Sequence, residues 1–415
     1  MAGGLMQLVA YGAQDVYLTG NPKVTFFQAV YKRHTNFAME NIEQTVNGTA
    51  TAGGRVSVTV ARNGDLIADM YVELTCLTAP TITEDAWIAE SAISTVELSI
   101  GGQRIDKHYQ KWWRLYAELY LDESAKLNYG KMTSATIDNE KVYLPLIFFF
   151  NRNPGLALPL IALQYHEVRI DIDLASTYAN FDSLKVWGNY IYLDTEERRR
   201  FAQKGHEYLI EQVQHTGSDS LAAAGSTKQI RLSYNHPVKE LVWCTTESSN
   251  VVGDANGVWN FTDTEVTVSS AMASVAASNV AIAPNAAGAP ALYGLAQFDE
   301  ETSGPLDSFK LVLNGQDRFK EQGGKYFNSV QPFVHHSSSP MPGIYSYSFA
   351  LKPEEHQPTG TCNFSRIDNA QVSISVKGTS SPRGTDSTKN TLNMFATNYN
   401  VLRIQSGMGG LAFSN

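Results

Sequence analysis

Nine histidines are the first residues to test for chemistry: His34, His108, His166, His206, His215, His236, His335, His336 and His356. A metal-dependent β-sandwich enzyme needs two His alternating on one strand, a carboxylate and a distant third His. No His-x-His occurs, and the adjacent His335-His336 pair, read as strand, would point to opposite faces. His166-Glu167 lacks the second His of a zinc-binding helix, and there is no Gly-x-Ser-x-Gly elbow, phosphate loop or dinucleotide fingerprint. We therefore expect no catalytic residue, no bound metal and no cofactor. Asp171 and Asp173 share one face of a predicted strand and are the candidates for a glycosidase carboxylate pair. Ile170, Ile172 and Leu174 fill the other face, so the two aspartates read as the polar side of a half-buried strand. Three Asn-x-Ser/Thr sequons occur, at Asn47, Asn260 and Asn363, and Asn260 alone falls in a long polar loop where a glycan fits. An unshifted intact mass of the native protein would remove Asn260 as a glycosylation site.

The elements that must carry these residues are mostly strands. Val96, Leu98 and Ile100 alternate with polar residues into Gly101-Gly102, and Phe309, Leu311 and Leu313 do the same into Asn314-Gly315, 213 residues later. Alternation into such dipeptides reads as a strand entering a two-residue hairpin, because that turn needs positive φ at both central residues. Other echoes keep the same order. Ile42-Glu43-Gln44 recurs as Ile210-Glu211-Gln212, and Cys76 as Cys244, each at a spacing of 168. The alternating run from Val168 to Leu174 answers Val372 to Val376 at 204, and Asn189-Tyr190 answers Asn398-Tyr399 at 209. An ordered series with drifting offsets is the trace of a duplicated all-β domain with variable loops.

The domain expectation is an arm over residues 1–31, a first sandwich over 32–200 and a second over 201–415, with a long outer loop at 245–305. That loop is rich in Ala, Ser, Gly, Asn and Thr, with a possible strand piece at Glu265 to Val268. Glu196-Glu197-Arg198-Arg199-Arg200 forms a charged connector between the sandwiches. One helix is expected, from Asp106 as cap to Lys126, with Trp112, Leu115, Tyr116 and Leu119 at helical spacing. The arm has no counterpart in the second half and mixes apolar side chains with Gly20-Asn21-Pro22, so it can dock on a neighbour or on its own underside.

Composition limits the partners. Lys plus Arg total 32 against 41 Asp plus Glu, a formal charge of -9 with a pI near 5.5, which argues against direct nucleic-acid binding. Charged residues make up 18% of the chain, below the roughly 25% usual in soluble domains, so surface buried between subunits is expected. Cys76, Cys244 and Cys362 are too few and too scattered for a disulfide framework or a zinc cluster, and read as reduced thiols of a protein made in a cytoplasm. The start lacks a basic signal region, and the longest apolar run, Pro145 to Leu163, is interrupted by Asn151-Arg152-Asn153-Pro154.

Several motifs together are specific. Gln14-Asp15-Val16-Tyr17-Leu18-Thr19-Gly20-Asn21-Pro22 is followed by Thr25-Phe26-Phe27, by Arg62-Asn63-Gly64-Asp65-Leu66-Ile67 and by Ile100-Gly101-Gly102-Gln103-Arg104-Ile105-Asp106. Pro145-Leu146-Ile147-Phe148-Phe149-Phe150, Leu163-Gln164-Tyr165-His166-Glu167, Asn314-Gly315-Gln316-Asp317-Arg318-Phe319 and Cys362-Asn363-Phe364-Ser365-Arg366 continue the series. With these the chain resembles the major capsid proteins of large icosahedral DNA viruses of algae, most closely the chlorella-virus type. The resemblance implies a double jelly roll, two eight-stranded antiparallel barrels in tandem, forming a homotrimer of hexagonal outline that tiles an icosahedral virion shell. It further implies loops facing outward, and an arm facing inward toward minor capsid proteins or an inner membrane. It also implies glycans that need not follow the usual sequon. Two other classes stay open on the residues alone. A carbohydrate-binding or carbohydrate-cleaving β-sandwich would want an aromatic platform, for which Trp187, Trp243 and Trp259 remain once Trp112-Trp113 is assigned to the helix. A minor or penton capsid subunit would suit a single jelly roll better than a duplicated one.

Overall fold

The computed structural model describes residues 3–78, 87–135, 137–247, 261–262, 304–378 and 387–413. Residues Met1–Asn36 form one unit and Phe37–Asn415 another. The first unit contains two short helices, Gly3–Val9 and Val16–Thr19, which bury none of their residues. It extends five residues beyond the expected end of the arm at residue 31.

Among the described residues, sixteen principal strands build the larger unit. The first eight are β1 (Phe37–Gln44), β2 (Arg55–Thr59), β3 (Leu66–Cys76), β4 (Ile93–Ile100), β5 (Gln103–Tyr109), β6 (Lys141–Pro145), β7 (Val168–Leu174) and β8 (Phe181–Leu193). The next eight are β9 (His206–Ser220), β10 (Lys228–Leu232), β11 (Pro237–Thr246), β12 (Leu306–Leu313), β13 (Gln316–Asp317), β14 (Ile344–Ser348), β15 (Ala370–Val376) and β16 (Thr391–Gln405). The first set forms two antiparallel sheets in the orders β1-β8-β3-β6 and β2-β7-β4-β5. The second set forms β9-β16-β11-β14 and β10-β15-β12-β13, the same orders with eight added to every strand number. Short pieces at Val46–Asn47, Leu158–Pro159, Gln322–Gly323, Cys362–Asn363 and Met408–Leu411 extend these sheets.

Alternation drives each strand to bury one row of side chains between its two sheets. In the first sandwich Val72 and Leu74 of β3 face Val96, Leu98 and Ile100 of β4 across the core. In the second, Leu241 and Trp243 of β11 meet Phe309 and Leu311 of β12, with the Trp243 and Phe309 rings stacked at 4.2 Å. The two predicted hairpins are present. Gly101 and Gly102 have φ of 58° and 82°, and Asn314 and Gly315 have 50° and 81°, the left-handed values that the β4–β5 and β12–β13 turns require.

Pairing corrects the offsets of two echoes and the facing of a third. Val96 faces Ile172 and Phe309 faces Ile374, so β7 matches β15 at 202 rather than 204, which keeps the same face. Trp187 lies opposite Glu43 and Tyr399 opposite Glu211, so β8 matches β16 at 212 rather than 209. Cys76 points into the first sandwich, whereas Cys244 lies on the outer side of β11 because Leu241 and Trp243 take the interior. A bulge between Val238 and Glu240 interrupts β11, a phase change that composition does not announce.

The expected helix is also revised. Asp106 lies in β5, and the helical segment is two helices, Gln110–Tyr120 and Glu123–Thr133, the second capped by Asp122, which accepts from the Ala125 N–H. The charged connector is a helix, Thr195–Gln203, with Arg198 bonded to Asp65 at 2.9 Å. Most of the 245–305 loop, including Glu265 to Val268, Trp259 and Asn260, lies outside the described residues.

Candidate assembly site: the seam between the sandwiches

The outer face of the sheet β9-β16-β11-β14 is roofed by the first sandwich. Its roof is the segment between β5 and β6, whose helix Gln110–Tyr120 buries Trp112, Trp113, Leu115 and Leu119. Trp112 packs on Phe395 of β16 at 5.6 Å between centroids, and Tyr109 meets His215 of β9 at 4.9 Å. Polar groups in this seam are paired across it. Asp106 accepts the Val213 N–H at 3.1 Å, and Gln212 donates to the Ile105 carbonyl. Lys111 donates to the Thr246 hydroxyl at 3.4 Å.

Two ionic centres lie at the bottom of the seam. Glu211 of β9 accepts from Arg152 of the first sandwich at 2.9 Å and from the buried Lys239 of β11 at 2.8 Å. Burial pushes the Glu211 carboxyl up, yet the two cations outweigh this and hold it below the usual carboxylate range. Beside it, Glu240 accepts from the Tyr120 hydroxyl at 2.6 Å and contacts His336 Nε2 at 2.5 Å, while His336 Nδ1 lies 3.3 Å from Glu354. Burial works against the His336 charge, but Glu240 and Glu354 overcome it and raise its pKa to about 9. The Tyr120 phenol is pushed well above its ordinary value by burial and by the adjacent Glu240. A single proton-bearing imidazole thus ties a β-strand, a loop and, through Glu240, the helix of the other sandwich. Next to it, the Ser338 hydroxyl donates to the Glu118 carbonyl at 2.8 Å and Lys126 donates to the Ser339 carbonyl at 2.7 Å.

None of the residues tested for chemistry assembles into a reaction centre within the described chain. His336 ends no strand: it follows the short helix Gln331–His335, so the two adjacent histidines are not strand neighbours on opposite faces. His108 stacks on Phe148 at 4.5 Å and bonds Asp106 at 3.0 Å. Asp171 and Asp173 are both tied to Arg55, at 3.4 and 3.5 Å, with Arg169 on Asp171 and the Thr95 hydroxyl on Asp173. The Asn363 side chain accepts the Ser365 N–H and caps a short helical turn. Trp243 is fully buried in the second core, and Trp187 donates to Glu73 at 3.1 Å. A half-open pocket of about 400 Å³ beside Arg62 and His166 has Tyr165 as its aromatic residue and Glu167 as its carboxylate, neither a stacking platform nor a carboxylate pair. The partners of the seam lie far apart along the chain, so no local pattern marks them, and the adjacent His335-His336 pair is a local signal that falls within it.

The chain matches two family models, "Major capsid protein N-terminus" over residues 25–194 and "Large eukaryotic DNA virus major capsid protein" over residues 197–410. It is 47% identical to the major capsid protein of Paramecium bursaria Chlorella virus 1 and 42% identical to that of Pyramimonas orientalis virus, in both cases over the whole of each chain. Among solved structures, the PBCV-1 virus capsid quasi-atomic model is similar at a TM-score of 0.80 and 41% identity, covering 94% of this chain and 100% of that one. The Faustovirus major capsid protein shares the fold at a TM-score of 0.68 and 13% identity, covering 97% of this chain and 96% of that one.

Proposed function

The chain belongs to the family of major capsid proteins of large eukaryotic DNA viruses, an all-β double jelly-roll family with a structural role, and from that premise we propose how it builds a shell. Three copies associate as a homotrimer whose six jelly rolls approximate sixfold symmetry, and these capsomers tile the icosahedral virion capsid. The observation that carries this reading is the identical strand order of the two sandwiches, since two equivalent blocks per chain let a threefold particle present six similar sides. The chain acts by binding rather than by turnover. Within a capsomer the contact is obligate and exceeds the ~1,600 Å² of a standard interface. Between capsomers contacts are weaker, and their multiplicity over the lattice makes the finished shell hard to dissolve.

The domain assignment proposed is an arm over 1–31, a first jelly roll over 32–200 and a second over 201–415. The 245–305 loop faces outward and offers Asn260 for glycosylation. The arm faces inward toward minor capsid proteins or an inner membrane, and the chain is made in the host cytoplasm before it enters the virion. Native mass spectrometry of the purified protein tests the assembly. A species near three chains of 45.6 kDa is expected; a lone chain at micromolar concentration would overturn it.

A further inference from the structure

Each sandwich carries two complementary parts, and inside the chain one roof covers one sheet face. The part that roofs is the segment between the fifth and sixth strands. In the first sandwich this is the β5–β6 segment, which presents Trp112 and Tyr120 to the second sandwich. The part that is roofed is the outer face of the sheet β9-β16-β11-β14. The corresponding surfaces left over are the helical stretch of the β13–β14 segment in the second sandwich, ahead of the His336–Ser339 turn that touches the first, and the outer face of β1-β8-β3-β6 in the first.

Both leftovers have the surface of an interface. The β13–β14 segment is helical over Tyr326–Val330 and Gln331–His335 and holds Phe333 at 87% exposure, Val334 at 62% and Val330 at 46%, with Leu351 beside it at 72%. His335 Nδ1 lies 3.0 Å from the Leu351 carbonyl, which joins these side chains into one apolar patch. An exposed Phe, two Val and a Leu in one patch are unusual on a protein that works alone. The leftover sheet face carries Met39 at 53% exposure together with half-exposed Tyr71, Tyr143 and Trp187, the two tyrosine rings meeting edge-on at 5.7 Å. Its Glu43 occupies the position that Glu211 holds in the seam: Glu43 lies opposite Trp187 as Glu211 lies opposite Tyr399.

We propose that the seam repeats between molecules: the Val330, Phe333, Val334 patch of one chain docks on the Met39, Tyr71, Tyr143 face of a second copy. This rests on the trimer reading and names the surfaces that make it. The contact is heterologous, a donor patch on one end of the chain and an acceptor face on the other, so it propagates until it closes. Six equivalent seams close a ring at about 60° each, three within chains and three between them. A Phe edge against Tyr and Trp rings is a favourable aromatic geometry. The intermolecular contact replaces the buried ions of the internal seam with apolar groups, which suits surfaces that must spend time in water before they meet.

The test compares native masses of the full chain and three variants, with far-UV circular dichroism on each. Phe333→Asp combined with Val334→Asp, and separately Tyr143→Asp, are expected to shift the three-chain species to single chains while leaving the dichroism unchanged. Tyr165→Ser, at another exposed aromatic, is expected to keep three chains. Three-chain particles that survive both the patch and the face variants would overturn these surfaces and leave the trimer reading intact. A wild-type protein that is single-chain would overturn the trimer reading and the surfaces with it. Should one variant lose its fold, the other decides, because they lie on opposite partners of the same contact.

Discussion

The first sheets of the two sandwiches have the same strand order and opposite fates. In the second sandwich the outer face is roofed and its Glu211 is buried between Arg152 and Lys239. In the first, the equivalent Glu43 is 45% exposed and pairs at 3.4 Å with Lys185, itself 42% exposed. A duplicated fold therefore does not duplicate its energetics: the same position is a structural ion in one copy and a solvated charge in the other. The difference lies in what the neighbouring segment places over the sheet, not in the sheet.

The largest expected effect breaks the buried side of this comparison. Glu211→Ala leaves Arg152 and Lys239 without their shared carboxylate and should cost about 3–5 kcal/mol, read as a drop in urea midpoint with unchanged slope. A loss under about 1 kcal/mol would mean that water or another carboxylate reaches the two cations.

His336 supplies the second test. Its folded pKa of about 9 lies above the ordinary value of 6.5, so its contribution is fully present below pH 6.5 and is lost as pH rises through about 9. The size follows from the shift, about 3 kcal/mol between those limits. Urea midpoints measured from pH 6 to 10 should fall accordingly, and His336→Gln should flatten the decline. An equal decline in the variant would place the titration elsewhere.

The hairpins sharpen the comparison on a smaller scale. A Cβ added at Gly101 would come within 2.3 Å of His166 Nδ1, whereas Asn314 already has a side chain at the matching turn position. Gly101→Asn should cost about 1–3 kcal/mol through the forced displacement of His166. Asn314→Gly should change stability by only a few tenths of a kcal/mol, since either residue accepts a left-handed φ. Thermal unfolding of both variants checks the pair. Smallest of all, Glu43→Ala should cost under about 1 kcal/mol in the single chain, the usual yield of an exposed ion pair.

What could be read before folding was local. Gly101-Gly102 and Asn314-Gly315 were legible because their turn demands particular residues, and the strands around them because one face is core. The class and the duplication followed from that. Bulges were not legible, so Cys76 and Cys244 looked equivalent while facing opposite sides of their sheets. Asp106 looked like a helix cap because aspartate serves caps and strand-end hydrogen bonds alike, and its partners include His108, the Lys107 N–H and the Val213 N–H. The seam was hidden for a plainer reason. Tyr120 and Glu240 are 120 residues apart, and no periodicity links a helix to the strand of another sandwich.

The central claim is that two equivalent blocks per chain make a particle of near-sixfold outline. Negative-stain class averages of the purified full-length protein test it most directly. Six lobes of similar size around one centre are the predicted view. Averages with two lobes, or with three lobes and no subdivision, would contradict it.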